Sequence, residues 1–223
     1  MSTTSTRTAP HAKHTEHTGT TRAARTAVPL HPLLAERWSP RGLDAGHELT
    51  DHQIVALLEA ARWAPSANNS QPWRFAVAKR GAAAFQTVFG TLAGGNRVWA
   101  ASASALIVVA AETVAPDGTT RRYAGYDAGQ AVALLTVQAQ HEGLSVHQLA
   151  GFDAAALHSA LQLPEGIEPL VVLVVGRHDA AVELAEPFAS REVAERRRIP
   201  LGDLLLPVPD GDANQEDAAG YAA

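Results

Sequence analysis

The apolar positions of this chain recur at two periods, and their order along the sequence predicts one alternating α/β domain. Thr50 stands three residues before Gln53, which matches a capping box, the reciprocal side-chain cap of a helix start. Ile54, Leu57, Leu58 and Ala61 then repeat at helical spacing, and Pro65 marks the stop. Arg74 to Lys79 reads as a short strand, and Ala82 to Leu92 as a helix closed by Gly94-Gly95. Ala105 to Ala111 is a continuous apolar, β-branched run, the pattern of a buried strand. From Asp127 to His141, Val132, Leu135 and Ala139 fall on one helical face, with Gly143 as the C-cap. Ser145 to Leu149 reads as a strand, Asp153 caps a helix through Leu161, and Leu170 to Gly176 reads as a central strand.

Two stretches lack this periodicity. Residues 1–28 are rich in Thr, Ala and His and carry a basic excess, which predicts a disordered tail; residues 210–223 predict an acidic, mobile one. The domain between them spans 29–209. His11, His14 and His17 recur at spacings of three in the first tail, but no carboxylate or cysteine pattern accompanies them, so no metal site is predicted.

Composition narrows the classes of function. The chain has 223 residues, enough for one domain with a substantial core, and a formal net charge of −5, which gives nucleic-acid binding no support. Cysteine is absent, so disulfides, thiolate metal sites and cysteine nucleophiles are excluded. No apolar run is long enough to span a bilayer, and no hydrophobic h-region follows the first charges; the expected address is the cytoplasm.

Three segments carry candidate chemistry. In Arg37-Trp38-Ser39-Pro40-Arg41, two guanidinium forks and a hydroxyl alternate, so in extended backbone they share one side and match phosphate oxygens. A solvated surface turn is the plainer alternative. Ala64 to Trp73 forms a proline-stiffened loop between a helix and a strand. Its Ser66, Asn68, Asn69, Ser70 and Gln71 form a row of neutral donors and acceptors suited to a heterocycle rich in carbonyls and ring nitrogens. An Asx-type capping turn is its alternative. Arg196-Arg197-Arg198 groups like charges, which suits burial only opposite an anion; otherwise it is a solvated charge run. No Gly-x-Gly-x-x-Gly follows a strand, no phosphate loop is complete, and neither a Gly-x-Ser-x-Gly elbow nor a His-Glu-x-x-His helix occurs.

Together, Arg37-x-Ser39-x-Arg41, Ala61-Arg62-x-Ala64-Pro65-Ser66-x-x-Asn69-x-Gln71-Pro72-Trp73, Asp127-Ala128-Gly129 and Arg198-x-Pro200-Leu201 resemble the nitroreductase family in order and spacing, from about Leu33 to Leu206. The resemblance implies an α+β fold, a three-layer α-β-α sandwich with an antiparallel-rich sheet, in a domain-entwined homodimer with two interfacial FMN sites. It implies that Arg37, Trp38, Ser39 and Arg41 bind the phosphate and ribityl end of FMN, joined by Arg196 and Arg198. Pro65, Ser66, Ala67, Asn69 and Gln71 would line the ring from the second subunit. Asn96 is similar to an asparagine that hydrogen-bonds the ring, and Ala150 and Gly151 fall where backbone N–H groups approach flavin N5. Ala150 stands where many members carry glutamate, and Trp99 where many carry lysine.

The implied activity is transfer of hydride from NAD(P)H through flavin N5 to a nitroaromatic, quinone or similar small-molecule acceptor, in ping-pong fashion and with no catalytic side chain. Rival readings are an FMN-dependent dehydrogenase or oxidase of a biosynthetic pathway, a flavin-cleaving enzyme, and a non-enzymatic flavin-binding protein.

Overall fold

Ala105–Glu112 is buried at every position as far as Ala111, because it lies inside a sheet covered on both faces. The computed structural model describes residues 22–208. The readings of the C-terminal tail, and those of the N-terminal tail up to residue 21 with its three histidines, lie outside the described residues. The short helix α1 (Pro32–Ala35) is followed by α2 (Asp51–Arg62), β1 (Trp73–Lys79), α3 (Ala83–Gly90), α4 (Gly94–Ala100) and β2 (Ala105–Glu112). Then come α5 (Ala124–His141), β3 (Ser145–Leu149), α6 (Ala154–Ala160), β4 (Ile167–Gly176) and α7 (Phe188–Val193), with 3-10 turns at Ala67–Asn69 and Leu201–Leu204.

The four strands run in the order β1-β2-β4-β3, and every pairing is antiparallel. Side chains alternate across a strand, so β2 feeds two separate cores. Ala105, Ile107, Val109 and Ala111 meet Leu57 and Ala61 of α2 and Ala128, Val132, Leu135 and Ala139 of α5. Leu106 and Val108, with Val172 and Val174 of β4, meet Phe85, Val88, Trp99 and Leu157 from α3, α4 and α6. Each fully buried Leu or Val contributes about 1.5–3 kcal/mol.

Pro169 has no N–H to give a ladder, and it sits beside an irregularity in the β2–β4 register, where Val109 faces Val171 but Ala110 faces Pro169. The extra residue, Leu170, absorbs the shift. β3 reaches only to Val172 of β4, so on that side Leu170 and Val171 have no strand partner among the described residues.

The predicted elements are present with small boundary changes. The capping box forms in full: Gln53 N–H donates to Thr50 Oγ1 at 3.1 Å, and Thr50 N–H donates to the Gln53 side chain at 3.1 Å. Asp153 caps α6 through the Ala156 N–H, and Gly143 adopts φ +71° just past α5. One reading is corrected. Gly94-Gly95 does not close the helix before it; that helix ends at Gly90, and the glycines open α4, which is held down by the buried Trp99 and Ala100. Among the described residues no helix is long and apolar enough to cross a membrane.

Candidate functional site

The Arg37–Arg41 segment runs from α1 toward the end of β4, where Leu43 bridges to His178 and Asp44 N–H donates to the Arg177 carbonyl at 2.9 Å. It is fixed from below by α7. The backbone N–H of Arg41 donates to both carboxylate oxygens of Glu192 at 2.9 and 3.0 Å, and Gly42 N–H adds a bond at 3.0 Å. The side chains above are less committed. Arg37 Nη1 reaches Ser39 Oγ at 3.4 Å, near the limit of a hydrogen bond. Among the described residues, Arg198 donates only to the carbonyl of its neighbour Arg197, at 2.8 Å.

Burial holds Arg37 below the ordinary arginine value, and the positive charge of Arg198 pushes in the same direction. The half-buried Arg37 guanidinium therefore lies within electrostatic reach of the exposed Arg198. Arg196 is different. Its guanidinium is committed to three carbonyls, with Nη1 donating to Ala35 at 3.1 Å and to Arg22, and Nη2 donating to Arg37 at 2.8 Å. It clamps the backbone that carries Arg37. Trp38 meets His178 edge-on and lies under the Arg22 guanidinium.

Arg41 leans over Trp99 and Phe188, with its Nε buried and unpartnered among the described residues. Trp99 is 4% exposed and packs on His147, so the residue standing at the family's lysine position belongs to the core. Beside it, Asn96 Nδ2 donates to the Gly151 carbonyl at 2.9 Å, and Ala93 N–H donates to the same oxygen at 2.9 Å. Ala150 is exposed at the end of β3. Thus Arg37, Ser39, Arg41, Arg196 and Arg198 gather in one region, and Asn96 with Gly151 adjoins it through Gly95, whose added Cβ would lie 3.9 Å from the Phe188 ring.

Pro65, Ser66, Ala67, Asn69 and Gln71 lie elsewhere. Their loop leaves α2, touches the start of α5 and enters β1, whereas Gly151 follows β3 at the other edge of the sheet. Three interstrand spacings separate those edges, roughly 14 Å. Among the described residues no hydrogen bond or ion pair joins the two groups. The loop is held by Asp127, 2% exposed, whose Oδ2 accepts the Ala67 N–H at 3.0 Å, and by Ser66 Oγ, which accepts the Gln71 N–H at 3.0 Å. Asn68, Asn69 and Gln71 all have left-handed backbone, at φ 53°, 54° and 45°. That conformation is costly for residues with a Cβ and persists where surrounding bonds fix it. A shallow cavity of about 300 Å³ lies beside it, lined by Ser66, Ala67, Tyr123, Tyr126, Asp127 and Gln130 among others.

Sequence reasoning did not assign Arg22, Glu192 or Asp127 a role at the site. Asp127 had a signal, since a carboxylate on the apolar side of a helix needs a buried donor. Arg22 had none. Among the described residues no group of three or more His, Cys, Asp or Glu side chains is placed to hold a metal.

A model of the nitroreductase family matches residues 34–88 and 82–177. An uncharacterized 15.4 kDa protein of Mycolicibacterium smegmatis, from the ask 5′ region, is 40% identical over 136 residues, covering 57% of this chain and 90% of that protein. A crystal structure of an oxidoreductase containing FMN superimposes with a TM-score of 0.78 at 29% identity, covering 85% of this chain and 96% of the other. A Staphylococcus epidermidis protein assigned as an NAD(P)H:FMN oxidoreductase superimposes with a TM-score of 0.64 at 16% identity, covering 79% and 94%. At that identity the likeness is one of fold.

Proposed function

The chain belongs to the nitroreductase family, and from that membership we propose that it is an FMN-dependent oxidoreductase that passes electrons from NAD(P)H to a nitroaromatic, quinone or similar small acceptor, acting as a homodimer. The observation that carries this reading is the half-buried Arg37 guanidinium, 3.4 Å from Ser39 Oγ and within electrostatic reach of the exposed Arg198. Like charges held together in this way suit a phosphate dianion. The unpartnered Arg22 Nη1 and Arg41 Nε fit the same requirement.

Arg37, Ser39, Arg41 and Arg198 would hold the FMN phosphate and ribityl end, with Arg196 positioning the backbone beneath them. Asn96 and the backbone at Ala150-Gly151 would meet the ring. When bound, the cofactor supplies an atom that takes up and returns hydride, so no side-chain nucleophile is required. The chain's own contribution is placement: Glu192 fixes the loop, Arg196 clamps it, and Asn96 locks the turn after β3.

The homodimer reading is supported by the separation of the two residue groups, since the Pro65–Gln71 loop enters β1 at one edge of the sheet and Gly151 follows β3 at the other. Two surfaces support it. The outer stripe of α5, made of Gly125, Tyr126, Gly129, Ala133 and Leu134, is exposed and carries no charge. Beside it lies a groove lined by Gly125, Gly129, Val132, Leu170 and Val171, where an added Cβ at either glycine meets open space. The segment past α7 exposes Ile199, Leu201, Leu204, Leu205, Leu206 and Val208. Apolar surface of this extent is characteristic of a subunit contact. A second copy covering both surfaces would give the entwined, three-layered assembly that the two-sided core also supports.

The test is an absorption spectrum of the purified full chain, followed by anaerobic titration with NADH and NADPH. Flavin bands that bleach support the reading. A protein that remains colourless after FMN is added overturns it, and bound flavin that neither nucleotide bleaches points to a different electron donor.

A further inference from the structure

Arg22 stands fifteen residues before the first candidate phosphate-binding arginine, in a segment whose sequence has no hydrophobic pattern. Nevertheless it is tied into the arginine region at three points. Its carbonyl accepts from Arg196 Nη1, its own Nη2 donates to the Ala194 carbonyl, and its guanidinium carbon lies 4.3 Å from the centroid of the Trp38 ring. Ala24 N–H donates to the Ala35 carbonyl at 2.7 Å, and Arg25 pairs with Glu195 at 2.8 Å, so residues 22–25 form a strap between α1 and the chain after α7. One donor is left over: Arg22 Nη1 is buried and has no partner among the described residues.

A buried, charged donor without a partner is costly, and stacking on indole does not satisfy it. The nearest groups are no help, because Arg196 is cationic and its own value is lowered by burial first and then by Arg37, Arg198 and Arg22. We propose that Arg22 is a further phosphate-binding residue, its Nη1 donating to a phosphate monoester dianion shared with Arg37, Ser39 and Arg198, and that the strap closes over that anion. This rests on the flavin reading only so far as the phosphate is that of FMN. The same chemistry is offered by the extra phosphate of NADPH, which NADH lacks.

The experiment uses the full chain stripped of flavin, with Arg22→Ala and, as a control of equal charge in the same strap, Arg25→Ala. Binding of FMN and of riboflavin, which lacks the phosphate, is followed by flavin fluorescence quenching. Inorganic phosphate is tested by its effect on Tm. Arg22→Ala keeps the carbonyl that Arg196 uses, so the clamp survives the change.

The expected result is about a tenfold or greater loss of FMN affinity in Arg22→Ala, as for a charge-assisted hydrogen bond, with riboflavin affinity unchanged and Arg25→Ala near wild type. Unchanged FMN affinity with a rise in KM for NADPH but not NADH supports the proposal with the dinucleotide as the source. Equal loss of riboflavin and FMN, or equal loss in Arg25→Ala, overturns it. So does no effect of Arg22→Ala on FMN, NADPH or phosphate. If the wild type binds no flavin but inorganic phosphate raises Tm in an Arg22-dependent way, the flavin reading fails while the phosphate role of Arg22 stands.

Discussion

Asn96 Nδ2 donates to the carbonyl of Gly151 at 2.9 Å, so a side chain of α4 locks the backbone that leaves β3. Glycine leaves room for the contact. A Cβ at position 151 would lie 2.7 Å from that same Nδ2, so the amide would have to shift to admit it.

Gly151→Ala is therefore expected to displace the Asn96 amide and remove one hydrogen bond, at about 1 kcal/mol. In a domain of this size that lowers Tm by roughly 2–4 °C. Asn96→Ala should do the same, and the double variant should cost less than the sum. Thermal melts of the three variants, with FMN titrations alongside, check this. Additive losses would mean that the two residues act independently.

Asp127 carries the loop on the opposite side of the sheet. It is almost fully buried and accepts the Ala67 N–H at 3.0 Å, next to residues whose left-handed backbone has to be imposed from outside. Asp127→Ala would leave that N–H without its acceptor, and a lost hydrogen bond to a charged group costs about 1.5–3 kcal/mol. The chain should stay folded while amide exchange speeds up from Ala67 to Gln71. Exchange that accelerated evenly over α5 as well would show that Asp127 supports the helix rather than the loop.

Much of this was legible in the sequence because the signals were local. Thr50 and Gln53 satisfy each other within one helical turn, and the unbroken apolar run from Ala105 to Ala111 reports burial on two faces without reference to anything distant. What escaped was set by tertiary contact. Gly94 and Gly95 are poor helix formers, yet α4 forms because Trp99 and Ala100 are driven into the core. Arg196, read as an anion ligand in a run of three arginines, also donates to three carbonyls of the folded chain, contacts that no sequence spacing reveals. Arg22 lies in a Thr- and Ala-rich segment where no periodicity could reveal that it would stack on Trp38.

The stability of the fold should fall on mild acidification. His147 lies against Trp99, and its Nδ1 meets the Pro40 carbonyl at 3.1 Å. Burial lowers its pKa below 6.5, aided by Arg41 and opposed by the Pro40 bond and by Glu192. His47, which meets Ser104 Oγ at 2.9 Å, is lowered chiefly by burial and then by Arg177. With the folded values depressed, the folded state binds fewer protons than the unfolded chain. Stability is then full above about pH 7 and is lost as pH falls from the unfolded value near 6.5 toward the folded ones. Urea midpoints at about pH 7.5 and 5.5 should differ, and His147→Phe should narrow the difference. An unaltered difference in that variant would place the effect on His47 or elsewhere.

The separation of the two residue groups allows a test of how the site is assembled. Let one variant carry Arg37→Ala and Arg198→Ala, and another Asn69→Ala and Gln71→Ala; each alone should bind FMN weakly. If each site takes its phosphate region from one chain and its loop from the partner, a heterodimer of the two variants has one site with both defects and one with neither. The heterodimer, isolated with two different tags, should then bind one FMN per dimer at close to wild-type affinity. A one-to-one mixture with random pairing should recover about a quarter of all sites. A site built within a single chain predicts no recovery at all, since every chain would carry a defect. Elution of the wild type as a monomer on a sizing column would remove the partner altogether. Recovery would tie the Pro65–Gln71 loop of one chain to Arg37 of another.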